Sequence, residues 1–281
     1  MSESVFCCPL CGSTLKIAQN GALYCARSHC FDMAHEGYVH LLPAGKMHAK
    51  IPGDSKEMVA ARRSFLQTDG YRVFADALCK IVCAEFAAKK LPQPLLVDAG
   101  CGEGYYTRCI ENALKKANIP ARIAAFDISK SAVKAAAKLG GDISYAVASS
   151  FSMPIADKAA DILVDVFSPL AESEFARAVK PDGLFVFAVP GPRHLFGLKE
   201  ILYDKPYENA VQDTSYEGFI FEKRIAAKGM LTVTGEQIQN LFAMTPYYWK
   251  TPRGGAEKLA ACERLTTEIH FDFLCYRRQK K

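Results

Sequence analysis

Four side chains near the start of the chain, Cys8, Cys11, Cys25 and His29, can offer three thiolates and an imidazole to one ion. Cys8-x2-Cys11 is a knuckle whose two thiolates can close on a single metal, Cys25-x3-His29 supplies a second pair, and the thirteen residues between the halves are enough for a hairpin. Such a set suits Zn²⁺, and four protein ligands leave no open position, so the ion is structural rather than catalytic. About forty residues bury too little apolar surface to stand alone, so metal binding there is folding energy. Cys7 adjoins the first pair and Cys30 the second. His29 completes the spacing, while an all-cysteine set using Cys30 is also chemically sound.

A second constellation follows about seventy residues later, in Leu95-Leu-Val-Asp-Ala-Gly-Cys-Gly-Glu-Gly-Tyr-Tyr106. An apolar strand ends in a glycine-rich turn that opens a helix. Gly100 and Gly102 let the backbone turn tightly and let a ligand approach without a Cβ, and the helix N-terminus offers free N–H groups. Glycines alone would also serve a dinucleotide fold. The spacing here is G-x-G-x-G, which matches the pyrophosphate fingerprint imperfectly, and Glu103 lies inside the turn, where phosphates would be repelled. A sulfonium and an amino-acid moiety tolerate that charge, which points to S-adenosyl-L-methionine (SAM). Asp127, at the end of the second strand, stands where a ribose-binding carboxylate belongs; its alternative role is N-cap of the next helix, which Ser129 could also fill. Asp98 either organises the turn or meets the methionyl ammonium through water.

The elements that position these residues follow from the apolar pattern. Leu15–Ala18 and Ala22–Cys25 flank Gln19-Asn20-Gly21, a strong hairpin signal with positive φ expected at both turn positions. Phe31 and Tyr38–Leu42 could pack under the hairpin. Residues 43–54 read as a polar, basic connector. Asp54 and Glu57 fit a capping box for a helix to about Gln67, and after Gly70 a second helix covers 72–89. Strands at 95–97, 122–126, 143–147, 161–167 and 184–189 alternate with helices at 105–117 and 130–139, the pattern of a parallel sheet covered on both faces. Further strand candidates, 230–233 and 269–276, surround a helix at 235–243. The expected division is a zinc-binding ribbon at 1–42, a linker and helical segment at 43–90, and a catalytic α/β domain at 91–281.

With 281 residues, half of them hydrophobic, the chain can build one α/β domain plus an accessory module. No apolar run reaches the roughly 18 to 20 residues that span a membrane, and no signal peptide is evident, so the expected compartment is cytoplasmic. Five of the eleven cysteines fall in the first thirty residues and the rest show no framework, which favours metal over disulfides. The net charge of +5 permits a nucleic-acid partner without demanding one. Arg277-Arg-Gln-Lys-Lys281 reads as a solvated tail.

Several segments together resemble the bacterial large-subunit ribosomal RNA guanine-N1 methyltransferases. They are Cys8-Pro-Leu-Cys11, Phe31-Asp-Met-Ala-His-Glu-Gly-Tyr-Val39, Gly53-Asp-Ser-Lys-Glu-Met58 with Ala61-Arg-Arg63, Asp98-Ala-Gly-Cys-Gly-Glu-Gly-Tyr-Tyr-Thr107, Asp127-Ile-Ser-Lys130, Ala135-Ala-Ala-Lys138 and Pro190-Gly-Pro-Arg-His-Leu195. Met244-Thr-Pro246 with Trp249 extends the match, which runs nearly end to end. The resemblance implies an α/β, Rossmann-like SAM-dependent methyltransferase fold with an N-terminal zinc-ribbon domain that helps recognise an rRNA stem-loop, and a homodimer forming an RNA cleft. It also implies cofactor contacts from Gly102 and Glu103, from Tyr71 between the two leading helices, and from His194 after the fifth strand. From the residues alone, Tyr71 could be a core aromatic and His194 a satisfied loop histidine. The Cys-Pro-Leu-Cys and Pro-Gly-Pro-Arg-His-Leu wording leans toward the enterobacterial-type branch rather than the tylosin-resistance branch. Val166-Phe-Ser-Pro-Leu-Ala-Glu-Ser-Glu174 departs from the family pattern.

Guanine N1 carries a proton that must leave before its lone pair attacks a methyl. No catalytic base is assigned: Asp165, Glu172 and Glu174 lie in the substrate region, and each also reads as an ordinary surface acid. Lys46, Lys50, Lys56, Arg62 and Arg63 are candidate phosphate contacts, or simply a solvated face. Tyr247, Tyr248 and Trp249 could stack on a base or fill core. Two other readings compete: a methyltransferase of small molecules with zinc stabilising a cap, and a non-catalytic zinc-containing RNA-binding protein that retains SAM.

Overall fold

A computed structural model of the protein describes residues 2–43, 55–211 and 214–280. The front segment folds as four short strands, β1 (Ser2–Cys7), β2 (Thr14–Ile17), β3 (Leu23–Tyr24) and β4 (Cys30–Phe31), paired antiparallel in that order. The Asn-Gly hairpin joins β2 to β3, with a different turn from the expected one. Gly21 N–H donates to Ala18 O, Ala22 N–H donates to the Asn20 side chain, and Gly21 takes φ 84° while Asn20 keeps a negative φ. This is the three-residue loop, a turn closed by a left-handed glycine.

The chain continues through β5 (Tyr38–His40), α1 (Lys56–Leu66), α2 (Arg72–Lys89), β6 (Leu95–Ala99), α3 (Tyr105–Lys116), β7 (Arg122–Asp127), α4 (Lys130–Ala137), β8 (Ile143–Val147) and β9 (Ala160–Val166). Then come α5 (Glu172–Ala178), β10 (Val179–Pro190), α6 (Phe196–Leu202), β11 (Phe219–Thr234), α7 (Glu236–Ala243), α8 (Tyr247–Lys250), α9 (Arg253–Ala260) and β12 (Arg264–Arg278). One eight-stranded sheet runs β11-β12-β10-β9-β6-β7-β8-β5; neighbours from β10 to β5 are parallel, and β12 lies antiparallel to both β10 and β11. The expected cap Asp54 lies outside the described residues, as do the connector lysines Lys46 and Lys50. Ser55 caps α1, its Oγ accepting from Met58 N–H at 3.2 Å. Arg277 and Arg278, expected in a solvated tail, belong to β12, where Arg277 pairs with Glu85 and Glu222.

Side chains along the central strands alternate between two cores, as the two-residue period of a strand requires. Leu96, Ile123, Ala125, Val164 and Val186 face α1 to α4, meeting Phe65, Phe74, Leu78, Ile110 and Val133. Leu95, Val97, Ala124, Phe126 and Leu163 face the other way, and what covers them is the ribbon: Phe6, Cys8, Leu15, Leu23 and Cys25, with Phe175 of α5. Each fully buried Leu or Phe there contributes about 1.5–3 kcal/mol. A backbone bond from Cys7 N–H to Pro154 O (2.8 Å) fixes the ribbon to the catalytic unit.

The segment expected to pack under the hairpin does so with half its side chains. Val39 and Leu41 join the ribbon core, while Tyr38 and Leu42 face the helices. Its backbone pairs in parallel with β8, Tyr38 opposite Tyr145. Residues 38–40 therefore extend the catalytic sheet although they precede the expected boundary at 42.

Candidate active site and metal centre

Two tight turns build the metal centre. Cys8 N–H donates to Ser13 O and Gly12 N–H to Cys8 O; Cys25 N–H donates to His29 O and Ser28 N–H to Cys25 O. Gly12 and Ser28 take left-handed φ values of 75° and 61° to close them. The ligand atoms of Cys8, Cys11, Cys25 and His29 all lie within 4.8 Å of one another. Cys11 Sγ is 3.7 Å from Cys25 Sγ, and His29 Nδ1 is 3.4 Å from both Cys8 Sγ and Cys25 Sγ. A tetrahedral zinc with its usual bond lengths has S···S edges of about 3.8 Å and S···N edges of about 3.5 Å, so the four atoms fit one structural Zn²⁺. Ser13 Oγ sits 3.0 Å from Cys11 Sγ, and its hydrogen bond draws that thiol down to about 7, toward the thiolate that zinc needs. Cys30 is exposed on β4, outside the cluster, so the geometry favours His29 over its neighbour.

The glycine turn leaves β6 and is tied to β7. Gly100 and Cys101 N–H both donate to Phe126 O, and Gly102 N–H donates to Asp127 Oδ2 at 3.0 Å. Gly100, Gly102 and Gly104 have φ of 84°, 55° and 83°. A Cβ on Gly100 would lie 2.4 Å from Ser168 Oγ, and one on Gly104 would lie 2.8 Å from the Ala136 Cβ of α4. Gly102 differs: among the described residues a Cβ there would meet only Arg62 Nη1, at 3.8 Å, so its open side is the cradle a ligand can enter. Asp127 Oδ1 accepts from Ser129 N–H (2.7 Å), and Ser129 Oγ caps α4. The cap role weighed for Asp127 thus falls to Ser129.

Asp98 is buried with Oδ2 accepting from Thr107 Oγ1 (2.5 Å) and Oδ1 without a partner among the described residues. Burial pushes its carboxyl up to about 7, against the Thr107 bond. Glu103 is buried as well; burial raises it, and the Arg62 and Arg63 guanidinium groups oppose the rise. An orphaned buried carboxylate oxygen beside an open glycine cradle and two carboxylates suits a ligand that carries cationic groups and a ribose.

Tyr71 and His194 meet across the sheet end. His194 Nδ1 accepts from His270 backbone N–H (3.3 Å), so the neutral ring carries its proton on Nε2 and donates it to Tyr71 Oη at 3.3 Å. Burial, with Lys199 and His270 adding, lowers His194 to about 3 and keeps it neutral. The Tyr71 hydroxyl proton remains to be given elsewhere. Its ring packs edge-on to Phe65 and Phe271, and Phe271 and Tyr106 both pack on Phe74. Tyr106 feels both Tyr71 and Glu103, so the pair and the glycine turn border one region.

Sequence reasoning named most of these residues but missed the burial of Asp165 and the backbone of Phe167. Arg62 and Arg63, taken as phosphate contacts, lie close enough to act on Glu103. Asp165 is buried at the end of β9, with Oδ1 accepting from Ser168 N–H and Oδ2 unpartnered among the described residues. Phe167 is 43% exposed at φ 56°, a conformation that costs a bulky residue roughly 1–2 kcal/mol. An acid closing an apolar strand was the available signal; nothing local marks the positive φ. Glu172 and Glu174 are structural: Glu172 accepts from Glu217 N–H, and Glu174 pairs with Arg177 and accepts from Met153 N–H. Tyr247 is packed beside Asn209 and Lys199, whereas Tyr248 and Trp249 are exposed.

Comparison with known proteins fits this geometry. Residues 6–50 match the family described as "RlmA, N-terminal", a zinc ribbon, and residues 97–187 match "Methyltransferase domain". A protein of Micromonospora griseorubida named as a candidate 23S rRNA (guanine-N(1)-)-methyltransferase is 31% identical over 87% of this chain and 86% of its own. A similarly named candidate of Bacillus subtilis, YxjB, is 28% identical over 96% of each. The 23S rRNA (guanine(748)-N(1))-methyltransferase of Streptomyces fradiae is 32% identical over 69% of this chain and 66% of its own. Fold and site define a Rossmann-like methyltransferase that uses SAM and carries a structural zinc ribbon. The chain belongs to the 23S rRNA (guanine-N1)-methyltransferase family.

Proposed function

We propose that the protein transfers a methyl group from SAM to N1 of one guanine in a stem-loop of large-subunit ribosomal RNA. The observation that carries this reading is the juxtaposition of an open glycine cradle, backed by Glu103 and Asp127, with a zinc ribbon packed on the same sheet. SAM, when bound, supplies an electrophilic methyl on sulfur; its transfer to N1 breaks the C–S bond, leaves the electron pair on sulfur and releases the N1 proton to solvent or a base. The chain's part is to hold and shield. Gly100 and Gly102 shape the turn, Asp127 would hold the ribose hydroxyls, Asp98 and Glu103 would face the cationic end, and Tyr71, steadied by His194, would donate a hydrogen bond from its hydroxyl to the cofactor. A base-paired target must be extruded to expose N1.

The reading extends to a cytoplasmic homodimer. The abundance of free cysteines supports a reducing compartment; among the described residues no helix is long and apolar enough to cross a membrane. Exposed Ile220, Phe221 and Met230 on the edge strand β11 support a second copy, and light scattering of the purified protein tests it. The division into 1–42, 43–90 and 91–281 is part of the same proposal, with β5, inside the first part, pairing with β8 of the third. As for the target base, the Streptomyces fradiae relative is named for guanine 748.

Reverse transcription over rRNA from cells with and without the gene tests the function, because N1 methylation blocks pairing. A stop at one guanine, present only with the gene, is expected; identical stop patterns would reject the reading. A small-molecule methyltransferase would instead label metabolites, and a non-catalytic RNA binder would label nothing.

Cofactor affinity is expected to depend on pH. Asp98 must be ionised to face an ammonium, and burial holds its carboxyl up to about 7. Affinity should fall about tenfold per unit as pH drops below 7 and level off above it. Titration calorimetry in buffers of different ionisation enthalpy should find a proton released on binding at pH 6 and none at pH 8.5. Affinity that is flat from 5.5 to 8 would remove Asp98 from the cofactor.

A further inference from the structure

The segment that closes β9 places a strained aromatic ring where a nucleobase would arrive. Leu163 faces the ribbon core and Val166 packs toward the helices, so a continuing strand would send residue 167 back to the ribbon side. Phe167 instead takes φ 56°, which turns its ring onto the helical side, 5.3 Å from Phe74 and 5.8 Å from Phe271. Those two rings are buried against each other, and Phe271 packs edge-on to Tyr71. The backbone is held there by two bonds: Phe167 N–H to Ala188 O at 3.1 Å, and Ser168 N–H to Asp165 Oδ1 at 3.1 Å. Ser168 lies directly over Gly100, whose absent Cβ leaves room for it. The loop therefore runs along the rim of the glycine turn with one face of Phe167 against the aromatic cluster and the rest in solvent, 43% exposed.

A large apolar ring kept in a left-handed conformation and left half in water contributes little to the core; a flat partner on its open face would explain both costs. We infer that Phe167 is the stacking platform for the extruded guanine, and that Asp165 is the positioning residue that fixes its loop. The inference rests on the guanine-N1 reading and adds to it the residue that receives the base. Stacking tolerates any planar ring, so an aromatic is required at 167 while its identity matters less.

The test uses the full chain with zinc bound, SAM, and an unmodified 23S rRNA transcript. Phe167→Ala and Phe167→Gly should slow single-turnover methylation about 10- to 100-fold while leaving SAM affinity within about threefold. Phe167→Gly, which suits the left-handed backbone, should match or exceed the parent in thermal midpoint. Phe167→Tyr and Phe167→Trp should retain methylation within about threefold. Parent-like methylation by the Ala and Gly variants would overturn the inference, as would SAM affinity lost in step with rate, or failure of the aromatic variants to methylate when they melt like the parent. If the parent itself leaves rRNA unmethylated, the functional reading falls and the stacking role with it; an active parent beside an equally active Ala variant removes the stacking role alone.

Discussion

Cys25→Ser, or removal of zinc by a chelator, is expected to lower the thermal midpoint of the entire chain by more than about 10 °C, and to do so in one transition. A free-standing ribbon would melt by itself. Here the ribbon is the cover of one face of the catalytic sheet: Phe6, Leu15 and Leu23 lie on Val97, Ala124 and Phe126. Without the ion, the turns at Cys8 and Cys25 have four neighbouring ligand atoms and nothing to gather them, and zinc contributes on the order of 10 kcal/mol to the folding of comparable small modules. Losing half of that would move a domain of this size by about 10–20 °C. Calorimetry with and without chelator checks it, together with hydrogen exchange over β6 and β7, whose protection should drop. Two separate transitions, with the upper one unmoved, would show that the sheet does not depend on its zinc-bound cover. His29→Ala should behave like Cys25→Ser, and Cys30→Ala like the parent; the reverse would transfer the fourth ligand to Cys30.

Asp127→Ala is expected to weaken SAM binding about 100-fold or more and to reduce kcat/KM by the same factor, with rRNA binding unchanged. The carboxylate has two tasks. It accepts from Gly102 N–H and Ser129 N–H, so it fixes the turn against the start of α4. In the proposed function it also holds the ribose hydroxyls. Hydrogen bonds to a charged group contribute about 1.5–3 kcal/mol each, and losing two of them accounts for the expected factor. Asp127→Asn is the sharper variant. Its single oxygen can serve one of the two backbone donors, and its amide then faces the other, so it should approach the alanine variant rather than the parent. Calorimetric titration with S-adenosylhomocysteine measures this without turnover. Parent-like affinity in both variants would show that the ribose is held elsewhere.

What was legible in the sequence was local. The β6–turn–α3 unit is marked by an unbroken apolar run and three glycines within five residues, and it lies where expected. The Cys and His spacings likewise assembled as one ligand cluster. Less legible were features decided by distant partners. β11 spans Phe219–Thr234, with charges at Glu222, Lys223 and Arg224, and only its apolar end was seen because one of its faces is wet. Arg62 and Arg63 read as phosphate contacts or a solvated face, and the fold instead carries α1 to the glycine turn. Tyr71 and His194, which meet over a separation of 123 residues, owe their pairing to the sheet between them. Phe167 could not be found from residue type at all, since its interest lies in a dihedral angle.

β5 has a further consequence, for the order in which the protein can be made. Tyr38 pairs opposite Tyr145, so the ribosome must deliver about a hundred more residues before that edge of the sheet can close. A nascent chain can take up its metal long before then, and Val39 and Leu41 already have the ribbon core to settle on. The waiting strand is thus half-docked during elongation instead of drifting as a free edge. Zinc supply at the time of translation, and not only afterwards, is therefore expected to affect how many chains reach the finished fold.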